Sequence, residues 1–127
     1  MKAMFVNRLS YSMRYPYLIT HGYKKAETRS KDMLSKLVGE RVAVVETYRG
    51  KKPVVVGYVT VTGKMFCPAK YFHDFDDIHC VPVGSAYDCH GKGKWLYFLK
   101  DAEPCEPYPL PSSAIRHGRS WCEWEEV

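Results

Sequence analysis

Two β-branched segments near the middle of the chain show the clearest pattern of apolar and polar positions. Residues 42–46 read VAVVE, and residues 53–63 read PVVVGYVTVTG. In the second segment, alternate positions from Val55 to Val61 fall on one face of an extended chain, so both segments are predicted to be strands. The short stretch between them, residues 49–51, predicts an antiparallel hairpin.

Glycine and proline positions refine this outline. Gly57 inside the second strand predicts a bend or bulge, and Gly22 and Gly39 predict helix ends. Residues 104–111 contain four prolines, which exclude a helix and a central strand, so this segment is predicted to be an extended edge. Further strands are predicted at residues 4–9, 95–99 and 121–124. Helices are predicted at residues 15–21, 30–38 and 69–78. The acidic half of the last helix is alternatively a loop.

Short strands with small helices between them predict a mainly β domain of the α+β class, a small β-barrel with short peripheral helices. The 127 residues suit a single domain, 1–127, and the 46% apolar and 26% charged content is that of a soluble protein. No apolar run is long enough to cross a bilayer, and residues 1–10 lack the apolar stretch of a secretory signal. We therefore expect a cytoplasmic protein with no membrane partner. The pattern predicts no oligomeric state.

Cysteine content and net charge add two constraints. An odd count of five cysteines without a CxxC pair argues against a disulfide framework. Lys and Arg total 19 and Asp and Glu total 14, which gives a net charge of +5. This modest surplus favours a polyanionic partner.

Residues 22–29 carry the most informative chemistry. Because Lys24 and Arg29 are separated by an odd number of residues, a regular strand would place them on opposite faces. Either a turn or bulge intervenes, or Glu27 and Arg29 share a face and Lys24 comes from the loop. Lysine offers a point charge to a phosphate and arginine a planar fork, while Glu27 can hold that fork or accept from an exocyclic amine. These are the parts of a nucleotide site, and the alternative is a solvated face with a surface ion pair.

The stretch 15–29, YPYLITHGYKKAETR, resembles the signature of ASCH domains and their PUA-like relatives. The shared features are an aromatic residue beside a proline, a short apolar helix, and then G-x-K-x-x-E-x-R. Upstream, residues 12–14 match a serine-apolar-arginine run, and downstream residues 95–121 resemble the closing strands of the family. The resemblance spans nearly the whole chain apart from residues 66–91.

This resemblance implies a PUA-like barrel that binds RNA or a modified nucleotide in a basic cleft, without a cofactor. Together with the chemistry of the side chains, it gives as binding residues Lys24, Glu27, Arg29, Arg14, Tyr15 and Arg119. Arg119 forms a small basic group with Arg116 and His117, which is alternatively a solvated terminal loop.

The resemblance also implies an alternative, because some small ASCH proteins are similar to amidohydrolases that deacetylate N4-acetylcytidine. Lys24 matches their catalytic lysine. Glu27 stands where their threonine would be, and this departure weakens the transfer of their mechanism to this chain.

A hydrolase would use Lys24 and Glu27 as its catalytic residues. Lys24, desolvated near Arg29, would take a proton from water, and Glu27 would relay it to the leaving amine. Backbone N–H groups near Gly22 would form the oxyanion site. A ribonuclease using the same cations, or a protein-binding adaptor using residues 104–111, are the remaining alternatives.

Several other side chains could contribute to a binding site or have only a structural role. Tyr15 could stack on a base, whereas Tyr17 is expected to pack the first helix onto the barrel. Lys92 and Lys94 are expected in a flexible basic loop near the mouth of the cleft. The histidines and cysteines between residues 73 and 90 match no standard zinc spacing, so we predict no metal site.

Overall fold

The computed structural model describes residues 1–8 and 14–126, which form strands and short helices. The strands are β1 (Lys2–Asn7), β2 (Ala26–Arg29), β3 (Arg41–Thr47), β4 (Val54–Cys67), β5 (Lys94–Pro109), β6 (Ile115–His117) and β7 (Trp121–Glu123). The helices are α1 (Tyr15–Thr20) and α2 (Asp76–His79), with 3-10 segments at Ser35–Leu37 and Ala69–Phe75. The protein is therefore mainly β with short helices, as predicted.

The seven strands form one mixed sheet in the order β2-β5-β4-β3-β1-β7-β6. β1 pairs with β3 in parallel, and the other neighbours are antiparallel. Among the described residues the hydrogen-bonded ladder ends at β2 on one edge and at β6 on the other. The predicted closure of the sheet into a barrel is therefore not confirmed.

The two central strands follow directly from the β-branched pattern. Residues 42–45 of β3 are fully buried, and along β4 the buried positions alternate with partly exposed ones. The pairing shifts register next to Gly57, which confirms the predicted bulge. A Cβ atom at Gly57 would lie 2.7 Å from the Thr20 side chain, so helix α1 packs against a position that only glycine fits.

Several element predictions are confirmed. The hairpin at residues 49–51 joins antiparallel β3 and β4, and the helix at residues 69–78 forms as a 3-10 segment followed by α2, so its acidic half is helical. The proline-rich segment forms the second half of β5. It is an edge there, because β2 pairs only with the first half of β5, at residues Trp95 to Phe98. Strand β1 matches the prediction up to Asn7, and Leu9 lies outside the described residues.

The helix predicted at residues 30–38 is wrong, because only Ser35–Leu37 forms a 3-10 turn. The Tyr97 hydroxyl donates to Asp32 at 2.7 Å and accepts the N–H of Leu34 at 3.3 Å. A side chain from β5 thus takes a backbone N–H and holds the segment in an irregular shape. In the part of the chain that the structure describes, no helix has the length and apolar character needed to span a membrane.

Candidate functional site

The end of helix α1 determines where Lys24 lies. Gly22, at φ +79°, donates its N–H to the carbonyl oxygen of Ile19. The N–H groups of Tyr23 and Lys24 both donate to the carbonyl oxygen of Leu18, each at 2.9 Å. This Schellman arrangement needs a left-handed residue after the helix, which glycine supplies. It fixes the backbone of Lys24 two residues before β2.

The same hydrogen bonds overturn one expectation. The N–H groups of Gly22, Tyr23 and Lys24 all bond to helix carbonyl oxygens. They are not free to stabilise an oxyanion, so the oxyanion site expected near Gly22 is wrong.

Strand β2 places Glu27 and Arg29 on one side of the sheet. Nη2 of Arg29 lies 3.0 Å from Oε2 of Glu27 and donates to the carbonyl oxygen of Phe5 at 2.6 Å. Oε1 of Glu27 accepts the N–H of Thr28 at 3.1 Å. Of the two arrangements that the sequence left open, the second is found: Glu27 and Arg29 share a face, and Lys24 comes from the preceding loop.

The Lys24 side chain is buried, with 1% of its surface exposed. Its ammonium donates to the backbone carbonyl oxygen of His79 and lies 3.8 Å from Oε1 of Glu27. The ring centroid of Tyr15 is 4.9 Å away, within cation–π range. Lys24 is therefore a desolvated cation that faces a carboxylate and an aromatic ring, which rules out the solvated surface pair.

Burial and charge shift the pKa values of this group in opposite directions. Burial lowers the pKa of Lys24 to about 8, although the Glu27 charge opposes the fall. Burial alone would raise the pKa of Glu27, but Arg29, Lys24 and the hydrogen bonds to the carboxylate hold it below its usual value. At neutral pH the site therefore contains an ionised carboxylate beside a lysine that deprotonates unusually easily.

Tyr15 presents a second polar group at the site. Its hydroxyl is buried and makes no hydrogen bond to a described residue. Burial, with Glu27 and Tyr87 adding to the effect, raises the pKa of Tyr15 to about 12, and the Ser85 hydroxyl opposes the rise. A buried hydroxyl without a partner costs free energy unless a ligand or water bonds to it.

These side chains line one cavity of about 240 Å³. It lies between the loop before β2, strand β2, the end of β1 and the loop before β5. Its walls are formed by Phe5, Val6, Asn7, Tyr15, Lys24, Glu27, Thr28, Arg29, Ser30, Met33, Val81, Tyr87, Lys94 and Arg119. Polar and charged groups thus meet apolar surface in one concavity, as in most small-molecule sites.

The structure brings together five of the six binding residues predicted from the sequence. Lys24, Glu27, Arg29 and Tyr15 line the cavity together, and the exposed Arg119 lies at its edge. Arg14 is not part of the lining. It is exposed, and its guanidinium lies 4.8 Å from the Tyr17 ring centroid. Of the run that precedes Pro16, Ser12 and Met13 lie outside the described residues.

The two helix tyrosines differ in burial, and only the expectation for Tyr17 is overturned. Tyr15 is 4% exposed and faces the cavity, whereas Tyr17 is 39% exposed and stacks on His21 at 3.9 Å. The expectation that Tyr17 packs the helix onto the sheet is therefore wrong. Residues two apart lie on nearly opposite sides of a helix, so only one of the pair faces inward.

The burial of Lys94 in the cavity wall was not predicted from the sequence. Lys94 is the first residue of β5, is 7% exposed and lines the cavity, whereas Lys92 is exposed as expected. The Lys94 ammonium donates to the carbonyl oxygen of Tyr87 at 2.7 Å. The available signal was its place directly before the apolar strand WLYFL, where a lysine can be drawn into the core.

The histidine-rich segment contains two groups of potential metal ligands. The ligand atoms of His73, Asp76 and His79, and those of His73, Asp88 and Cys89, lie within 4.8 Å of one another. However, both ring nitrogens of His73 contact carboxylates at 2.7 Å, and both ring nitrogens of His79 bond to backbone groups. A metal ion would have to displace these hydrogen bonds. The absence of a metal site stays a prediction.

The same fold occurs in an ASCH protein from Zymomonas mobilis. A serine-to-alanine variant of it matches with a TM-score of 0.71 and 16% identity, over 98% of this chain and 88% of that one. The unsubstituted protein matches with a TM-score of 0.67 and 16% identity, over 85% and 73%. A tyrosine-to-phenylalanine variant gives 0.63 and 16%, over 87% and 77%.

These likenesses confirm the resemblance to ASCH domains at the level of the fold. No protein-family model matches the chain, and no curated protein does.

Proposed function

We propose that the protein binds a single nucleotide, free or presented by RNA, in the cavity lined by Lys24, Glu27 and Arg29. The observation that carries this proposal is the Glu27 carboxylate, which is buried between the Lys24 ammonium and the Arg29 guanidinium at the cavity wall. A base edge offers donors and acceptors that match such a mixed set. The ASCH fold of the chain agrees with this function. We expect the protein to be a PUA-like barrel that is located in the cytoplasm.

The size of the cavity favours one base over a strand. About 240 Å³ is below the range of roughly 300–1,000 Å³ that drug-sized ligands occupy. The lining also includes two tyrosines, Tyr15 and Tyr87, whose ring centroids lie 5.7 Å apart. Aromatic rings provide faces on which a base can stack.

Calorimetric titration tests this function. Wild type and Lys24→Met are titrated with the four ribonucleoside monophosphates, N4-acetylcytidine and a short single-stranded RNA. Wild type should bind at least one of them, and Lys24→Met should bind it at least about ten-fold more weakly, a difference of about 1.4 kcal/mol.

The exposed neighbour Lys25 supplies the matched control Lys25→Met, which should bind like wild type. Equal affinities of Lys24→Met and wild type would overturn the proposal. So would the absence of binding to every ligand in the panel.

One observation favours a second candidate, an amidohydrolase acting on an acylated pyrimidine nucleoside. With a pKa of about 8, roughly a tenth of Lys24 is a neutral amine at pH 7. That amine accepts a proton from water while the water oxygen bonds to the acyl carbon. The C–N bond then breaks, and the proton passes to the departing amine. The Tyr15 hydroxyl, which makes no hydrogen bond to a described residue, replaces the excluded N–H groups as the donor to the developing oxyanion.

Product analysis distinguishes the two functions. An amidohydrolase releases cytidine from N4-acetylcytidine at a rate that rises with pH through about 8 and is abolished in Lys24→Met. A binding protein forms a complex with the nucleoside and releases no cytidine above the uncatalysed background.

A further inference from the structure

We propose that Lys94 is an anion-binding residue of the cavity and that the ligand carries a negative charge there, as a phosphate group. This inference rests on the proposed function and narrows its ligand class from nucleosides to phosphorylated nucleotides or RNA backbone.

Lys94 is a buried cation with spare hydrogen-bond donors. It lies at the cavity wall with 7% of its surface exposed. An ammonium has three N–H donors. In the described part of the chain, it donates to one acceptor, the carbonyl oxygen of Tyr87 at 2.7 Å. Two donors of a desolvated cation therefore remain for a ligand in the cavity.

No nearby carboxylate is free to neutralise this charge. Burial lowers the pKa of Lys94, and the Glu27 charge opposes the fall, but the two oxygens of Glu27 already bond to Thr28 and Arg29. Asp88 acts on Lys94 more weakly. Its oxygens accept two backbone N–H groups and contact the His73 ring.

The charges of the cavity lining are strongly unbalanced. Four cations, Lys24, Arg29, Lys94 and Arg119, face a single carboxylate, that of Glu27. A buried cation without a counterion is unfavourable, and an anion from the ligand removes that penalty. A neutral nucleoside would leave the excess uncompensated. A phosphate offers several acceptor oxygens to the spare donors of Lys94 and to the guanidinium groups.

The test compares each nucleoside with its own 5′-monophosphate on wild-type protein. Calorimetric titration with cytidine, uridine, adenosine and guanosine, and then with the four monophosphates, is expected to show at least ten-fold tighter binding of a monophosphate. The Lys94→Met variant should reduce that ratio to near one. The matched control Lys92→Met, at an exposed position two residues away, should keep it.

Two further ligands identify the source of the phosphate. Competition by inorganic phosphate together with tight monophosphate binding indicates a free nucleotide. Tighter binding of an RNA trinucleotide with unphosphorylated ends indicates a backbone phosphate. Either result supports the anion site.

The same titrations distinguish a missing anion site from a failure to bind nucleotides. If a nucleoside binds wild type as tightly as its monophosphate, the anion site is refuted while nucleotide binding stands. If no nucleoside, monophosphate or trinucleotide binds, both fall. The wild-type comparison tests the anion itself and does not depend on the folding of Lys94→Met. Because Lys24, Arg29 and Arg119 also line the cavity, a ratio in Lys94→Met like that of wild type would refute the assignment of the anion to Lys94.

Discussion

The Lys24 ammonium donates a hydrogen bond to the backbone carbonyl oxygen of His79, a residue 55 positions further along the chain. The His79 carbonyl is held in place because the His79 ring accepts the N–H of Val81 at 2.9 Å and bonds to the Phe72 carbonyl at 2.8 Å. Burial lowers the pKa of His79, which agrees with a neutral ring that donates through Nε2 and accepts through Nδ1. The end of α2 is thus a rigid support for the cation at the site.

The buried charge of Lys24 predicts a pH-dependent stability. The pKa falls from 10.5 in the unfolded chain to about 8 in the folded protein, so the unfolded state holds more protons between these values. The free energy of unfolding of wild type relative to Lys24→Met should therefore rise between pH 8 and pH 10.5, by up to roughly 3 kcal/mol. Urea unfolding of both proteins across this range measures it. A flat difference would contradict the burial of Lys24, and the control Lys25→Met should give a flat one.

Glu27 is expected to stabilise the fold as the counterion of the buried Lys24 and the partly buried Arg29. Glu27→Gln removes that charge and should lower the free energy of unfolding at pH 7 by roughly 3–5 kcal/mol, as for other broken buried pairs. Because the folded pKa of Glu27 is depressed, its contribution is present above the unfolded pKa near 4.5 and is lost as pH falls through the folded pKa.

Glu40 supplies the matched control for this substitution. Its ion pair with Lys2 spans 3.3 Å at the surface, with half of the Glu40 side chain exposed. Glu40→Gln should cost no more than about 1 kcal/mol. Urea unfolding measures the loss in the free energy of unfolding for both variants. Equal losses would mean that the ion pairs of Glu27 stabilise the protein no more than a surface ion pair does.

Gly57 and Gly63 form a second matched pair within β4. A Cβ atom at Gly57 would lie 2.7 Å from the Thr20 side chain, whereas one at Gly63 would meet nothing within 4 Å. Gly57→Ala should therefore destabilise the protein by about 1–3 kcal/mol, and Gly63→Ala should change its stability by less than about 0.5 kcal/mol. Thermal unfolding of the two variants checks this. Similar melting temperatures would show that neither the Thr20 side chain of α1 nor the backbone carbonyl oxygen of Glu103, which is nearer still, lies against Gly57.

His73 lies between two carboxylates. Its ring nitrogens are each 2.7 Å from an oxygen, one of Asp76 and one of Asp88. The hydrogen bond to Asp76, followed by that to Asp88, raises the pKa of His73 against its desolvation. The resulting stability is fully present below the unfolded pKa near 6.5 and is lost as pH rises through the folded value. Urea unfolding from about pH 5 to pH 9 should show this loss in the free energy of unfolding of wild type relative to His73→Gln, a difference in which the opposite effects of Lys24 and His79 cancel. The free energy of unfolding of His90→Gln relative to His73→Gln should show the same loss. The same profile in all three proteins would exclude the His73 contact as its cause.

Local sequence patterns were sufficient for the parts of the fold that depend on neighbours along the chain. The alternation around Val59 and the glycine at position 22 predicted a strand and a helix end that the structure contains. The proline-rich segment was also predicted as an edge, because a proline without an N–H is tolerated only where no partner strand needs it. The motif residues Glu27 and Arg29 follow from the strand period once β2 is placed.

Features that depend on distant contacts were not predictable in this way. The helix expected at residues 30–38 fails because the Tyr97 hydroxyl captures the N–H of Leu34. Lys94 was expected in a flexible basic loop, yet it is buried, and its ammonium donates a hydrogen bond to the carbonyl oxygen of Tyr87. The local pattern places Lys94 next to an apolar strand, but it does not identify Tyr87 or Tyr97 as a partner, since each contact joins segments that meet only in the folded protein.

A crystal structure with the tightest-binding monophosphate will show whether a nucleotide occupies the cavity beside Glu27. We expect electron density for the base within hydrogen-bond distance of Glu27 or Lys24, and for the phosphate beside Lys94. Density for the nucleotide only outside this cavity, for example in the groove between Pro53 and Leu110, would contradict this expectation.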